Sequence, residues 1–350
     1  MRIWVVGFGT VGQWLLRALD SGAERLAARH DIAFSVVGLA NARHGFVYDG
    51  NGLDLPALLG LVSDGRSIAE LPGVHHWPSA IEGLRATQAD VLVEVTGSPP
   101  GGEPGLTHIR EALGRAIPVV TSNKWPVALH GVELVELARS RSVMLRAEST
   151  VMSGTPVLGP LVDGLAGATP TALRGILNAT ANFILSRMAE DRSYEEALAE
   201  AQRSGLAERD PAADVEGHDT VAKLMILAAL VFGRQLLPEE VVCRGITDIG
   251  RVEIDQAASS GGRLRHVATL EFSEPGGRGE VAARVEPLVL GGDDRLANIE
   301  GTTNAVELRA EPVGEVTIIG PGAGPELAGQ GVLSDLIALG RSRRIAPAVA

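Results

Sequence analysis

The sequence is short of several residue types on which whole classes of protein depend. It has a single cysteine, Cys243, in 350 residues, so no internal disulfide can form and the chain suits a reducing cytoplasm. Aromatic residues make up 3% of it and the net charge is −12. Base-stacking platforms and phosphate-neutralising surfaces both need what is scarce here, which argues against nucleic acid or an anionic membrane as partner. Apolar runs stay short: LMILAALVF, at 224–232, has nine residues, roughly half of a membrane span. The N-terminus MRIWVVGFGTVG puts glycines where a signal peptide needs an unbroken apolar core. The eight histidines include the pair His75-His76 but come with no H-E-x-x-H or Cys-x-x-Cys, so a zinc centre is not expected. What is left is a soluble cytoplasmic protein that handles something small.

The patterns that are present alternate. RIWVV (2–6) is an apolar run of strand type, GFGTVG follows it, and QWLLRALDSGAERLAARH has helical periodicity. Further strands are expected at 34–40, 89–97 and 118–123, with a helix over EPGLTHIREALGRA between the last two. Such alternation predicts a doubly wound parallel sheet covered on both faces. The segment 45–87, broken by Gly, Asp and Pro, reads as short helices and loops.

Beyond it the pattern changes. SVMLRAEST and ALRGILNAT look like strands followed by polar loops, and HVATLEFS and GEVAARVEPLVL extend a second sheet. SYEEALAEAQRSG reads as a helix, with Ser193 and Glu196 able to form a capping box and Gly205 where the chain leaves. GEVTIIG followed by GAGPELAGQGVLSDLIALG is a strand, a glycine turn and a helix. The expected fold class is α/β: a Rossmann-type doubly wound parallel sheet plus a second α+β catalytic domain. The expected division is a nucleotide-binding domain at 1–135, a substrate domain at 136–310, and a segment 311–350 returning to the first.

GFGTVG matches G-x-G-x-x-G, with Gly7, Gly9 and Gly12 placed between a strand and a helix. The first glycine makes the tight turn, the second lets backbone approach a pyrophosphate, and the third lets helix pack on strand. The helix N-terminus adds free N–H groups and a positive dipole end. At the end of the second strand, where an acid usually grips the ribose of NAD, this chain has Asn41, with Arg43 two residues on. An amide does not repel a 2′-phosphate and a guanidinium can hold one, which tilts the cofactor to NADP over NAD. The alternative for Arg43 is a solvated loop charge.

The chemistry is concentrated in GLAERDPAADVEGHDTVAK (205–223). If a helix starts after Gly217, Asp219 and Lys223 are spaced i, i+4 on one face. The carboxylate holds the ammonium protonated, and the dry helix beside it makes the lysine a better acid. A lysine that protonates a carbonyl oxygen complements hydride delivery to its carbon. The bland alternative is a lysine snorkelling at a helix start. A second lysine, Lys124 in TSNKWPVA, stands at the C-terminal end of a parallel strand, where open α/β sheets bind ligands. Cys243, between valines in VVCRGI, reads as a core thiol, and nothing marks it as an activated nucleophile.

These pieces together resemble the homoserine dehydrogenase family: GFGTVG, TSNK, AESTV, GILNAT, GLAERDPAADVEGHDTVAK, GTTN and GPGAG, in that order over nearly the whole chain. The most specific of them is the spacing E-x-D-P-x-x-D-x-x-G-x-D-x-x-x-K. The resemblance implies NAD(P)-dependent interconversion of L-homoserine and L-aspartate 4-semialdehyde by a homodimer built through the middle domain. It makes Lys223 the proton donor, with Lys124 assisting near the nicotinamide. Glu208 and Asp219 bind the substrate, Asp214 supports them, and Asn178 and Thr180 join that set. The implied cofactor contacts are Gly7, Phe8, Gly9, Thr10, Val11, Gly12, Asn41, Arg43, Thr96, Gly97, Ser122, Lys124 and Gly322. The resemblance also implies that backbone carbonyls of Glu148, Val151, Ser153 and Thr155 hold a monovalent cation such as sodium.

The chain departs from the family pattern at Ala179 and Ala181, where N-G-T-T-N or a close variant is usual, at Met152 and Ser153, and at Ala328. It also ends after its catalytic part, so feedback by threonine through an appended regulatory domain is not expected. Two other readings stay open: a related enzyme for another small amino alcohol or semialdehyde, and a catalytically silent NADPH-binding sensor.

Overall fold

The structure, a computed structural model, describes residues 1–97 and 99–345. The chain divides into two compact units, one formed by Met1–Gly154 with the segment from Gly324 onward, the other by Thr155–Ala323.

The first unit carries a seven-stranded sheet in the order β4-β3-β2-β1-β5-β6-β7. Its strands are β1 (Arg2–Val6), β2 (Ser35–Asn41), β3 (Gly45–Tyr48), β4 (His75–Trp77), β5 (Val91–Glu94), β6 (Val119–Thr121) and β7 (Leu145–Arg146). From β2 through β7 the pairing is parallel. Period-two alternation divides β1 between two cores. Ile3 and Val5 pack with Leu15, Leu16 and Leu336 on one face. Trp4 and Val6 pack with Leu92, Ile109 and Leu134 on the other. Both faces are thus covered, as alternating strands and helices require.

Three expectations need correction here. The segment 45–87 holds more than helices and loops: β3 and β4 extend the sheet antiparallel beyond β2. Gly45, at φ +74°, makes the tight return that sequence periodicity could not show. The C-terminal segment does not return as one piece. Its helix, Pro325–Ile345, packs in the first unit through Val332, Leu333, Leu336 and Leu339. Its strand belongs to the second sheet, because Thr303 to Ala310 pairs along its length. The last five residues lie outside the described part. The unit boundaries fall at 154/155 and 323/324 rather than 135/136 and 310/311, since β7 still pairs with β6.

The second unit has a six-stranded sheet in the order β13-β12-β8-β10-β11-β9. Its strands are β8 (Thr169–Ile176), β9 (Val241–Cys243), β10 (Gly262–Glu274), β11 (Arg278–Gly291), β12 (Thr303–Glu311) and β13 (Gly314–Pro321). All pairings are antiparallel except that of β9 with β11. The helix Ala179–Ala189 follows β8 directly, and Ala181, Ile184, Leu185 and Met188 pack with Ile246, Ile254 and Leu264. The Tyr194–Arg203 helix begins with the expected capping box, Ser193 to Glu196 and back, and Gly205 follows at φ +74°. The helix His218–Val231 buries every residue from Thr220 to Ala229, Lys223 among them.

Cys243 is also corrected. It is exposed on the edge strand β9, because only one neighbour covers an edge. Its thiol turns back and donates to the Glu216 carbonyl at 3.3 Å. Burial of the sulfur pushes its pKa up, the opposite of what a nucleophile needs.

Candidate active site

In the first unit the glycine turn is made as the motif requires. Gly7 has φ +111°, and a Cβ there would stand 2.5 Å from the Val95 carbonyl. A Cβ on Gly12 would run into the Gly7 carbonyl oxygen, so the third glycine sets how closely helix meets strand. Around Gly9, by contrast, a Cβ would meet nothing within 4 Å. Gly9 is the N-cap of the helix Thr10–Ser21, and neither a side chain nor an acid of the first turn closes that end. First-turn N–H groups have no intrahelical acceptor, and the helix start at Gly9 stands beside open space. This cradle fits a dinucleotide pyrophosphate. Phe8 is buried, and its carbonyl accepts from Gln13 Nε2 at 3.2 Å.

Asn41 ends β2, and its side-chain oxygen accepts from the Arg43 N–H at 2.8 Å. The amide therefore shapes the turn that carries Arg43, whose side chain is exposed. Thr96 and Gly97 follow β5, and Ser122 and Lys124 follow β6, at the C-terminal ends of adjacent parallel strands. Lys124 is the first residue of the helix Lys124–Ser140. Gly322 lies in the second unit, where a Cβ would strike the side chain of buried Asn304.

In the second unit the acidic segment and β8 come together. Lys223 is 7% exposed. Its Nζ lies 2.8 Å from Asp219 Oδ2, one turn back, and donates to the Leu177 carbonyl at 2.6 Å. Asn178 Nδ2 donates to Asp214 at 2.7 Å and to Asp219 at 3.1 Å. Its Oδ1 accepts from Ala181 N–H at 2.8 Å and caps the helix. One amide thus joins both acids to a helix start. Gly217, at φ +90°, sets the angle of the lysine helix. A Cβ on it would lie 2.9 Å from Cys243 Sγ and 3.3 Å from His266. His218 is the first, exposed residue of that helix, with Nε2 3.1 Å from Glu216.

Other expected residues sit elsewhere. Thr180 is 4% exposed and donates to the Leu206 carbonyl at 3.3 Å, anchoring the loop that carries Glu208. Glu208 itself is exposed, and among the described residues its carboxylate joins no part of the lysine cluster. Ala179 and Ala181 are buried, and Ala181 lies in the apolar cluster. The departure at 181 therefore alters a core position. Of the cation set, Glu148, Val151 and Ser153 lie in the first unit and Thr155 opens the second. Glu148 N–H donates to Asp335 at 2.9 Å, Ser153 takes φ +53°, and Thr155 donates to the Pro321 carbonyl at 2.8 Å.

An ammonium has three donors, and among the described residues Lys223 contacts Asp219 and the Leu177 carbonyl, which leaves room for one N–H to meet an arriving oxygen. The family model for the homoserine dehydrogenase NAD binding domain matches residues 7–148, and the model for homoserine dehydrogenase matches 156–337. The chain belongs to the homoserine dehydrogenase family. It is 37% identical to an NAD(+)-dependent homoserine dehydrogenase of Pseudomonas canavaninivorans, over 97% of this chain and 96% of the relative. A crystal structure of a homoserine dehydrogenase from Thiobacillus denitrificans matches with a TM-score of 0.82 at 30% identity, covering 99% of this chain and 75% of that one. A hyperthermophilic archaeal homoserine dehydrogenase in complex with NADPH matches with a TM-score of 0.79 at 29% identity, covering 97% and 98%. As a member of this family the chain is an NAD(P)-dependent oxidoreductase.

Sequence reasoning did not find the Leu177 carbonyl, since main-chain acceptors leave no side-chain signal. It also passed over Glu94, His108 and Asn123, all buried. A glutamate closing the otherwise apolar VLVE was the available sign.

Proposed function

We infer that the protein interconverts L-homoserine and L-aspartate 4-semialdehyde, with Lys223 as the group that moves the proton. The observation that carries this is the buried Lys223 ammonium, oriented by Asp219 and Leu177. When bound, the nicotinamide cofactor gives or takes the hydride at the substrate's reacting carbon. In reduction Lys223 passes a proton to the aldehyde oxygen, and in oxidation the neutral amine recovers it from the hydroxyl. Asp219 balances the charge of the protonated form. Lys124 assists beside the nicotinamide. Glu208, exposed and acidic, is suited to the substrate ammonium, and Asp214, Asp219, Asn178 and Thr180 are the further substrate-binding residues in this reading.

We further propose NADP as the preferred cofactor, because Asn41 offers no charge to repel a 2′-phosphate and Arg43 follows it on an exposed turn. The Pseudomonas relative is NAD(+)-dependent and the archaeal structure holds NADPH, so this choice rests on the chain's own residues. Carbonyls of Glu148, Val151, Ser153 and Thr155 would hold a sodium ion in a structural role. The protein works as a cytoplasmic homodimer in this reading. Exposed Val242, Val289 and Ile319 on the second sheet supply apolar surface for a partner. No helix among the described residues is long and apolar enough to cross a membrane.

The test is a substrate and cofactor panel on the purified protein. L-Homoserine should be oxidised with NADP reduction followed by absorbance. Absence of turnover with both NADP and NAD would favour the silent sensor instead, and turnover only with another amino alcohol would change the substrate.

A further inference from the structure

The end of β5 buries a carboxylate completely: Glu94 has 0% exposure. A buried carboxylate is costly unless hydrogen-bonded, and the bonds of this one have a direction. Glu94 Oε1 accepts from the Thr96 hydroxyl and, at 3.3 Å, from the Thr96 N–H. Thr96 Oγ1 in turn accepts from Asn123 Nδ2 at 3.2 Å, and the same amide donates to the Gly97 carbonyl at 3.3 Å. Asn123 N–H donates to Thr121 Oγ1 at 3.0 Å, and the Thr121 hydroxyl donates back to the Glu94 carbonyl at 2.9 Å. The four residues close a ring across the ends of β5 and β6. His108 Nδ1, also buried, stands 3.7 Å from Glu94 Oε1.

The ring fixes the loop Thr96–Gly97 and the residue just before Lys124, which is the N-cap of that helix. We propose that Glu94 is a positioning residue for the nicotinamide half of the cofactor, acting through Thr96 and Asn123 and not by contact. This rests on the functional reading that Thr96, Gly97 and Lys124 face that half. Gly7 of the pyrophosphate cradle packs on the Val95 carbonyl, but among the described residues none of the ring's hydrogen bonds goes to Gly7–Gly12, so opening the ring acts first on the nicotinamide half. Glu94 is the group to change, because an apolar side chain of its size keeps the core filled while opening the ring.

The experiment measures binding of the reduced dinucleotide and of its ADP-ribose half, which lacks nicotinamide, by calorimetry on the whole protein. Glu94→Leu should weaken the dinucleotide about 10- to 100-fold, the range for one or two displaced polar contacts, and leave ADP-ribose within about twofold. Glu94→Gln keeps an acceptor toward Thr96 and should restore most of the loss. Thr121→Val opens the same ring with a near-isosteric side chain. It should act in the same direction by about three- to tenfold, which keeps the test decisive if Glu94→Leu folds poorly. Equal losses for both ligands, or no loss for either, would overturn the proposal. A wild type that binds ADP-ribose but gains nothing from nicotinamide would overturn the functional reading beneath it.

Discussion

At the start of the Thr10–Ser21 helix, Gly7, Gly9 and Gly12 make a site by having no side chains. At the start of the His218–Val231 helix, Lys223, Asp219, Asn178 and Asp214 make one mainly out of side chains. The first is open around Gly9, and its donors are main-chain N–H groups. The second holds a lysine that is 7% exposed, with an acid, an amide and a carbonyl around it. A backbone site is damaged by adding atoms, whereas a side-chain site is damaged by removing charge or donors. The two therefore fail under opposite kinds of substitution, and that contrast can be tested directly.

Lys223→Met should give the largest effect. Turnover should fall about a hundred- to ten-thousand-fold, the range for loss of a general acid. Dinucleotide affinity measured by fluorescence titration should stay unchanged; a parallel loss of cofactor affinity would erase the contrast between the sites. Gly12→Ala should do the reverse. Its Cβ meets the Gly7 carbonyl oxygen, so overpacking should cost about 1–3 kcal/mol in denaturant unfolding and weaken the dinucleotide. A cofactor affinity equal to wild type would show that the cradle tolerates the shift.

The side-chain site has a pH-sensitive support. Burial lowers the pKa of His266 to about 4, and its ring packs beside Gly217, where the lysine helix begins. Between pH 6.5 and 4 the unfolded chain binds a proton that the folded chain does not, so acidification favours unfolding. The loss across that window is on the order of 3 kcal/mol and is absent above pH 6.5. His266→Gln should flatten this part of the stability profile in thermal or denaturant melts; an unchanged slope would assign it to other groups. Gly217→Ala forces φ +90° on a residue with a Cβ and should cost about 1–3 kcal/mol. Arg43→Ala should be the mildest change. The Michaelis constant for NADP should rise about three- to tenfold and that for NAD should hold, since an exposed charge contributes little. An unaltered ratio would retract the 2′-phosphate contact.

Much of this was legible in residue order. The turn GFGTVG between a strand and a helix announces a cradle because its requirement is local: only glycine takes φ +111° there without strain. The pair Asp219 and Lys223 is equally local, since four residues make one helical turn. The antiparallel strands β3 and β4 were not legible. They are four and three residues long, too short for periodicity to register, and their pairing joins residues about thirty apart. Cys243 was misplaced for a related reason, because flanking valines describe a strand but not whether that strand lies at an edge.

Residue order alone determined which chemical groups the chain carries and which of them share a helix turn or a tight loop. Tertiary structure decided that Asn178, at the end of β8, bonds both Asp214 and Asp219 from a segment about forty residues away. It also decided that the second partner of Lys223 is a main-chain carbonyl, and that the C-terminal strand and helix go to different units. The physical reason is the same in each case. Local geometry is set by φ, ψ and side-chain size, while long-range partners are chosen by whatever buries apolar surface and leaves no polar group unpaired.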